Sequence, residues 1–468
     1  MLKGRGRLFN LPEGGFVGPV NEAVAAHLRR LILSGAITPR ARLPSQRIMA
    51  QDFRVSRNTI VAALAQLTSE GLLEARVGAG TYVVASPPRA RAYDNEPGAR
   101  APARKGALPL EAGMPDVSLF PFELWRKALD LSARGVAQAS YLESSGGGWA
   151  PLRDLIAARV AAMRGVACSG DQVIVTASSQ AAIELAARAL AAPGDAAWME
   201  DPGYHRARDA LKNAGLAVTP VPVDEDGFDV VEAERRARAK IAYVTACAQM
   251  PTGAAMSERR RAALMQWASA ADGWIVEDDF EADFPLDGRA PTPIAARRDA
   301  KRVILVGTFN NLIFPALHIA YLIAPTRAIG AFLKPELSSL RAANLQAQCA
   351  LETFMEKGWL AAHIRQCRQL FRERRDALAE SMARRLAGRF AVSLPKQGLL
   401  VQAWGEGDRA IRLAAAKRGV IVNAMSDHAM LPARSGLFLG FAPYAPAAID
   451  AAVVELARAV EDADRAGR

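Results

Sequence analysis

The opening quarter of the chain alternates between helical and strand-like spacing. Val24, Leu28, Leu31 and Ile32 recur on one helical face, and Gly35 ends that run. Pro44-Ser45 opens a second short helix, with Ser45 as its cap, Ile48 and Met49 turned inward, and an end near Asp52. Phe53-Arg54-Val55 predicts a tight turn. Ser56 then caps a third helix with Ile60, Leu64 and Leu67 inside, and Gly71 stops it. The run LLEARVGAGTYVVA predicts two short strands around Gly78-Ala79-Gly80, a hairpin with a glycine turn. Three helices followed by a hairpin is the order of a winged helix-turn-helix.

Residues 86–107 lose all apolar periodicity and are rich in Pro, Ala, Gly and Arg, which predicts a flexible basic linker. Beyond about residue 108, short β-branched runs return: QVIVT (172–176), IAYVT (241–245), GWIVE (273–277) and RVILV (302–306). Their nearly continuous apolarity predicts strands buried on both faces of a parallel sheet. Helical patterns lie between them, such as 151–163 with Leu152, Leu155, Ile156 and Val160 on one side. The fold class is α/β, doubly wound. After about residue 340 comes a long helical region, then strands at 397–404 and 436–441 and a last helix from about Ala447, a smaller α+β lobe. The expected division is 1–85, 86–107, 108–340 and 341–468.

The length of 468 residues agrees with such a multi-domain reading, and 51% hydrophobic against 23% charged residues describes a globular chain. No apolar run reaches the length of a membrane span, and the N-terminus has no secretory pattern. Cys168, Cys247, Cys349 and Cys367 fit no metal spacing and are expected as reduced thiols in a cytoplasmic protein. No metal site is expected.

Charge sharpens the first domain. Residues 1–105 hold 16 Lys/Arg against 7 Asp/Glu, whereas the rest of the chain holds 43 against 41. A basic head on a near-neutral body points to a polyanion partner. Arg57, Asn58 and Thr59 fall in the first turn of the third helix, opposite its apolar stripe, where a recognition helix meets base edges. Arg suits guanine and Asn adenine. Ser56 and the free N–H groups of that helix start, with Ser45 and Arg47 at the second helix, are candidates for phosphate. The wing, with Arg76, Gly78 and Gly80, is a candidate for the neighbouring minor groove or backbone. The plainer alternative is a three-helix protein-interaction module.

The run LPSQRIMAQDFRVSRNTIVAALAQLTSEGLLEARVGAGTYV resembles the DNA-binding head of GntR-type bacterial regulators. The body contributes further fragments: WAPLRDLIAARVAAMRGV, TASSQAAIELAARAL, MEDPGYHRARDAL, MPTGAAMSERRRAALMQWA, VEDDFEADF and VGTFNNLIFPALHIAYLIAP. These resemble a fold-type-I, aspartate-aminotransferase-like domain. Together they make the chain similar to the MocR/GabR subfamily, in which a winged helix precedes a transaminase-like domain that senses pyridoxal phosphate or an amine adduct of it. The resemblance implies a double-stranded DNA operator, a homodimer and a small-molecule effector.

The same resemblance implies a degenerate cofactor site. The lysine position of a GTFSK-like run is Asn311, preceded by Asn310; the phosphate arginine is His318; the phenol of an EDDY-like motif is Phe280. A histidine-glutamine pair reads Ala248-Gln249. Asp278 remains for the pyridine nitrogen, Tyr204 for stacking, and Ser179 and Gln180 for phosphate at a helix start. Asp278 and Tyr204 read equally as core hydrogen-bonding groups, and Ser179 as a plain helix cap. An amide is no nucleophile, so no covalent cofactor and no catalytic residue are expected. Charge-assisted bonds contribute about 1.5–3 kcal/mol each, so non-covalent pyridoxal phosphate is expected to be held poorly. Lys301 lies too far along the chain to substitute. The usual substrate-carboxylate arginine is Phe438, with Arg434 near but unassigned. The expected function is a transcriptional regulator that is not an enzyme. The alternative is an aminotransferase with an accessory DNA-binding head.

Overall fold

The computed structural model describes residues 19–76, 79–85, 109–135, 146–341 and 343–466. The chain divides into two compact units, Met1–Arg104 and Lys105–Arg468. The expected linker, 86–107, lies outside the described residues.

In the first unit, α1 (Val20–Leu33), α2 (Gln46–Asp52) and α3 (Arg57–Ser69) precede an antiparallel hairpin of β1 (Leu73–Arg76) and β2 (Gly80–Val83). Both serine caps are present. The Ser45 hydroxyl accepts from the Ile48 N–H at 3.4 Å, and that of Ser56 from the Thr59 N–H at 3.1 Å. Val24, Leu28, Ile32, Met49, Phe53, Ile60, Leu64 and Leu67 share one core. Ile48 does not join it: the side chain is 47% exposed. Neighbouring helical positions diverge by roughly 100°, so a two-turn helix cannot aim both Ile48 and Met49 at one core.

The second unit is built on an eight-stranded sheet. Its members are β3 (Val173–Thr176), β4 (Ala196–Asp201), β5 (Ala217–Asp224), β6 (Gly227–Phe228), β7 (Ile241–Val244), β8 (Trp274–Asp278), β9 (Val303–Thr308) and β10 (Ala320–Ile323). Their order is β3-β10-β9-β8-β7-β4-β5-β6. The central pairs β9-β8, β8-β7, β7-β4 and β4-β5 are parallel. The sheet is mixed, however, because β10 runs antiparallel to both β9 and β3, and β6 antiparallel to β5. The turn from β9 into β10 is only about a dozen residues and holds no crossover helix, so β10 returns beside its predecessor. β3, read as a member of a parallel ladder, pairs with β10 alone.

The smaller sheet contains β11 (Ala391–Ser393), β12 (Leu400–Trp404), β13 (Asn423–Ala424) and β14 (Gly436–Gly440), in the order β11-β12-β14-β13, all antiparallel. Helices Leu345–Glu356 and Trp359–Arg385 fill the region beyond residue 340, and Pro446–Ala466 closes the chain. One apolar core runs from Leu110 and Phe120 through Leu152 and Phe354 to Leu439 and Leu456, and ties the lobe to the large sheet.

Candidate functional site

In the head, the capped start of α3 exposes Arg57 and Asn58 and half-buries Thr59. The apolar stripe beneath fixes the helix, so these side chains face away from the core. The Ser56 and Thr59 hydroxyls lie 2.8 Å apart. Arg57 Nη2 reaches Gln46 Oε1 at 3.5 Å, which joins the starts of α2 and α3 in one polar face. Gln46 was not legible as a member; only the contact reveals it. Arg47 is exposed on the same short helix.

At the hairpin, Arg76 is less free than expected. Its Nε donates to Glu74 Oε1 at 3.1 Å, and its guanidinium lies 4.8 Å from the Tyr82 ring centroid. Gly78 lies outside the described residues. Gly80 opens β2 at φ +108°, and a Cβ there would stand 3.1 Å from Arg42 Nε. The glycine thus admits Arg42 beside the wing, a second cation that the motif alone did not single out.

In the body, several candidate residues gather at the carboxyl ends of β3, β4 and β8. Asp278 ends β8, buried, and its Oδ2 accepts from the Tyr243 hydroxyl at 3.0 Å. Its other oxygen, Oδ1, is buried without a hydrogen-bond partner among the described residues. Burial pushes this carboxyl up to about 7, against the pull of the Tyr243 bond. Tyr243 was missed from the sequence. Its signal was a phenol inside the apolar strand IAYV, where the hydroxyl must find a partner.

Gln180 and Tyr204 do come together: the amide donates to the phenol oxygen at 2.6 Å. Burial, with the Asp278 charge, pushes the Tyr204 phenol up to about 12. The cap of helix Ser179–Leu190 is Ser178 rather than Ser179; its hydroxyl accepts from the Ala181 N–H at 3.1 Å. Ser179 and Gln180 therefore occupy the first helical positions, whose N–H groups have no intrahelical partner. Gln249 braces the floor: its amide nitrogen donates to Pro202 O at 2.8 Å and Glu200 Oε2 at 3.2 Å.

The other candidates separate from this group. Asn310 spends its side-chain oxygen on the Ile319 N–H at 3.1 Å. Asn311 is half-buried in the turn after β9. His318 is exposed at φ +53°, just past the short turn Pro315–Leu317. Phe280 lines a neighbouring cleft together with Ala248 and Gln249. Phe438 is buried, with its ring 5.0 Å from that of His428, and Arg434 lies over the Trp404 ring at 4.7 Å. Lys301 precedes β9 while Asn311 follows it, and six strand residues span roughly 20 Å.

These residues fit a pyridine ring better than an attached cofactor. A buried, unpartnered carboxylate oxygen suits a ring N–H, and Tyr204 suits an aromatic face. The Asn311 amide offers no imine nitrogen, Phe280 no hydroxyl, and exposed His318 no buried guanidinium. Among the described residues, no group of three or more His, Cys, Asp or Glu is placed to hold a metal ion.

The Asp278 carboxyl makes a stability prediction. Its folded value lies above the ordinary one of 3.8, so its contribution is present below about 4 and lost as pH rises through about 7. Asp278→Asn is expected to flatten the fall of Tm between pH 5 and pH 8, and to melt above the parent at pH 8. An unchanged slope in thermal melts across that range would show that Asp278 does not titrate there.

Comparison with known proteins agrees with both units. Residues 20–83 match the family of bacterial regulatory proteins, gntR family, and residues 109–430 match aminotransferase class I and II. The chain is 33% identical over 449 residues to the "Probable rhizopine catabolism regulatory protein MocR" of Rhizobium meliloti, covering 92% of this chain and 91% of that protein. It is 31% identical to the HTH-type transcriptional regulator TauR of Rhodobacter capsulatus, covering 79% and 82%. The fold is that of the multiple substrate aminotransferase of Thermococcus profundus, with a TM-score of 0.68 at 24% identity, covering 77% of this chain and 93% of that one. The chain belongs to the GntR family of bacterial regulatory proteins, in the MocR-type group that joins a winged helix-turn-helix to an aminotransferase class I and II domain.

Proposed function

We infer that this protein is a DNA-binding transcriptional regulator whose winged helix carries the DNA contact. Its aminotransferase-like body serves dimerisation and non-covalent effector sensing, without imine chemistry. The observation that carries the first part is the capped start of α3, which presents Arg57, Asn58 and Thr59 outward from a basic unit. Ser45, Arg47, Ser56 and the wing residues Arg76, Gly78 and Gly80 are assigned to the backbone around that contact. Arg57→Ala is expected to weaken binding to the cognate site by about 1–3 kcal/mol and to relax base preference. Fluorescence anisotropy with cognate and scrambled duplexes tests this. Equal binding of the unaltered protein to both duplexes would sink the assignment.

A dimer fits a symmetric operator. It would also cover the apolar side chains of Phe122 and Leu129, which helix Phe122–Gly135 leaves exposed one above the other. The four cysteines are free, and no helix among the described residues is long and apolar enough to cross a membrane. Both suit a regulator acting on DNA in the cytoplasm.

The body is not an enzyme in this reading, because Asn311 stands where an amine is needed and Lys301 sits at the other end of β9. Asp278, Tyr204, Ser179 and Gln180 would hold pyridoxal phosphate without a bond to the chain. Asn311→Lys alone is expected not to restore attachment, since His318 and Phe280 remain. Absorbance after addition of pyridoxal phosphate, followed by borohydride, reads this directly. A stable yellow, reducible adduct in that variant, or in the parent, would overturn it.

A further inference from the structure

A cleft of about 750 Å³ opens between the loops that follow β4, β5, β7 and β8 and the face of β11 and β12. Gln249 and Phe280 line it, but Tyr204, Asp278 and Asn311 do not. Its size is that of a small-molecule site.

The groups around it divide into those already satisfied and those not. Asp201 receives the Met430 and Leu431 N–H groups at 2.6 and 2.8 Å. Asp224 is held by Arg260 at 2.7 and 2.6 Å. The Glu281 carboxylate accepts from the Leu399 N–H at 3.0 Å. These acids lie within bonds of the chain's own making. Gln402 donates to Pro251 O at 3.3 Å, across the cleft's base. Gly253, at φ +75°, leaves room for that glutamine: a Cβ there would stand 2.9 Å from its oxygen.

Besides Glu225, an exposed acid on the β5 side of the lining with no ion pair among the described residues, three further groups remain unspent. Arg434 is exposed at the rim, its guanidinium carbon 4.7 Å from the Trp404 ring centroid, with no carboxylate partner among the described residues. Lys396 is exposed on the same rim, also without an ion pair there. Gln397 is 94% buried, and its side-chain oxygen has no hydrogen-bond partner among the described residues. A buried acceptor that has lost water and gained nothing is a standing cost that a ligand donor removes. A guanidinium held 4.7 Å from an indole centroid can meet a carboxylate while an aromatic ring packs near the same indole.

We propose that this cleft binds a small aromatic carboxylate that also carries an N–H or O–H donor. The carboxylate meets Arg434 and Lys396, the ring lies along Trp404, and the donor meets Gln397. The proposal concerns binding alone and does not depend on the regulator reading, which DNA titration tests separately.

The test uses the full chain and 2-aminobenzoate as probe, followed by calorimetry. One saturable site per chain is expected, with benzoate about tenfold weaker and aniline unbound at the same concentrations. Arg434→Ala is expected to weaken 2-aminobenzoate at least tenfold, and Lys396→Ala in the same direction. Gln397→Leu is expected to erase the preference over benzoate. Exposed Arg434 and Lys396 can be replaced without disturbing the core, so those variants report even where the buried glutamine variant misfolds. Absence of saturable binding up to millimolar probe overturns the proposal. So does binding that survives Arg434→Ala but is lost in Tyr204→Phe, which would put the probe beside Tyr204 and Asp278.

Discussion

Raising the salt from 50 to 200 mM is expected to weaken binding of this protein to its operator by about 10³–10⁵-fold, the loss expected for six to ten neutralised phosphates. The count comes from the head. Arg40, Arg42, Arg47, Arg54 and Arg57 are exposed, and none has a carboxylate partner among its described residues. Arg47 and Arg57 flank the two capped helix starts, Arg54 sits in the turn between α2 and α3, and Arg42 packs beside the wing glycine. Two heads on a two-fold operator, the arrangement proposed above, would bring ten such cations. In the body, arginines are commonly spent internally: Arg374 on Asp116 at 2.7 Å, Arg418 on Asp462 at 2.6 Å. The measurement is the slope of log affinity against log salt for the full chain on a cognate duplex. A slope near zero would refute the polyanion reading of the basic head, because release of condensed counterions is unavoidable when arginines meet phosphates. Arg42→Ala is the sharper variant here, since it removes charge at the wing while leaving the α3 face intact.

Local chemistry carried much of this architecture into the sequence. Ser45 and Ser56 read as caps because a hydroxyl before an apolar run has few other uses, and both bonds are present. The runs VIVT, IAYV, WIVED and VILVGT read as buried strands because continuous β-branched apolarity suits little else. What failed was non-local. Nothing in AYLI says that it runs against its neighbours, since strand direction is set by the short return from β9 and not by composition. Ile48 looked like core because apolarity says nothing of azimuth in a two-turn helix. The Asp278–Tyr243 bond joins residues 35 apart, and the cleft gathers positions from Asp201 to Arg434. Such groupings exist only once the sheet order is known.

Replacing Arg164 by Met is expected to destabilise the body by about 3–5 kcal/mol, because it leaves a buried carboxylate without its partner. Arg164 ends the helix Ala150–Arg164 and turns inward. Its Nε and Nη2 donate to the two oxygens of Asp279 at 2.7 and 2.9 Å, and Nη2 also reaches Pro291 O at 2.9 Å. Only 8% of the arginine side chain and 5% of the aspartate side chain are exposed. Burial pushes the Asp279 carboxyl up, and the guanidinium pulls it back. Without the guanidinium the carboxyl rises further, so the variant's deficit is smaller at pH 5.5 than at pH 8, where the proton must leave. Arg164→Met with Asp279→Leu removes both charges and fills the space with apolar groups. That double variant is expected to recover most of the loss, since a buried pair stabilises little against well-packed hydrophobic replacements. Urea unfolding of the three proteins at both pH values decides the matter. A double variant no more stable than the single one would mean that the arginine acts through its bond to Pro291 and not through the ion pair. Asp279 adjoins Asp278, so the same pair also sets where the strand end places that neighbour's unpartnered oxygen. The single variant should therefore disturb any ring bound there, while the double variant, repacked and neutral, should hold Asp278 close to its original position.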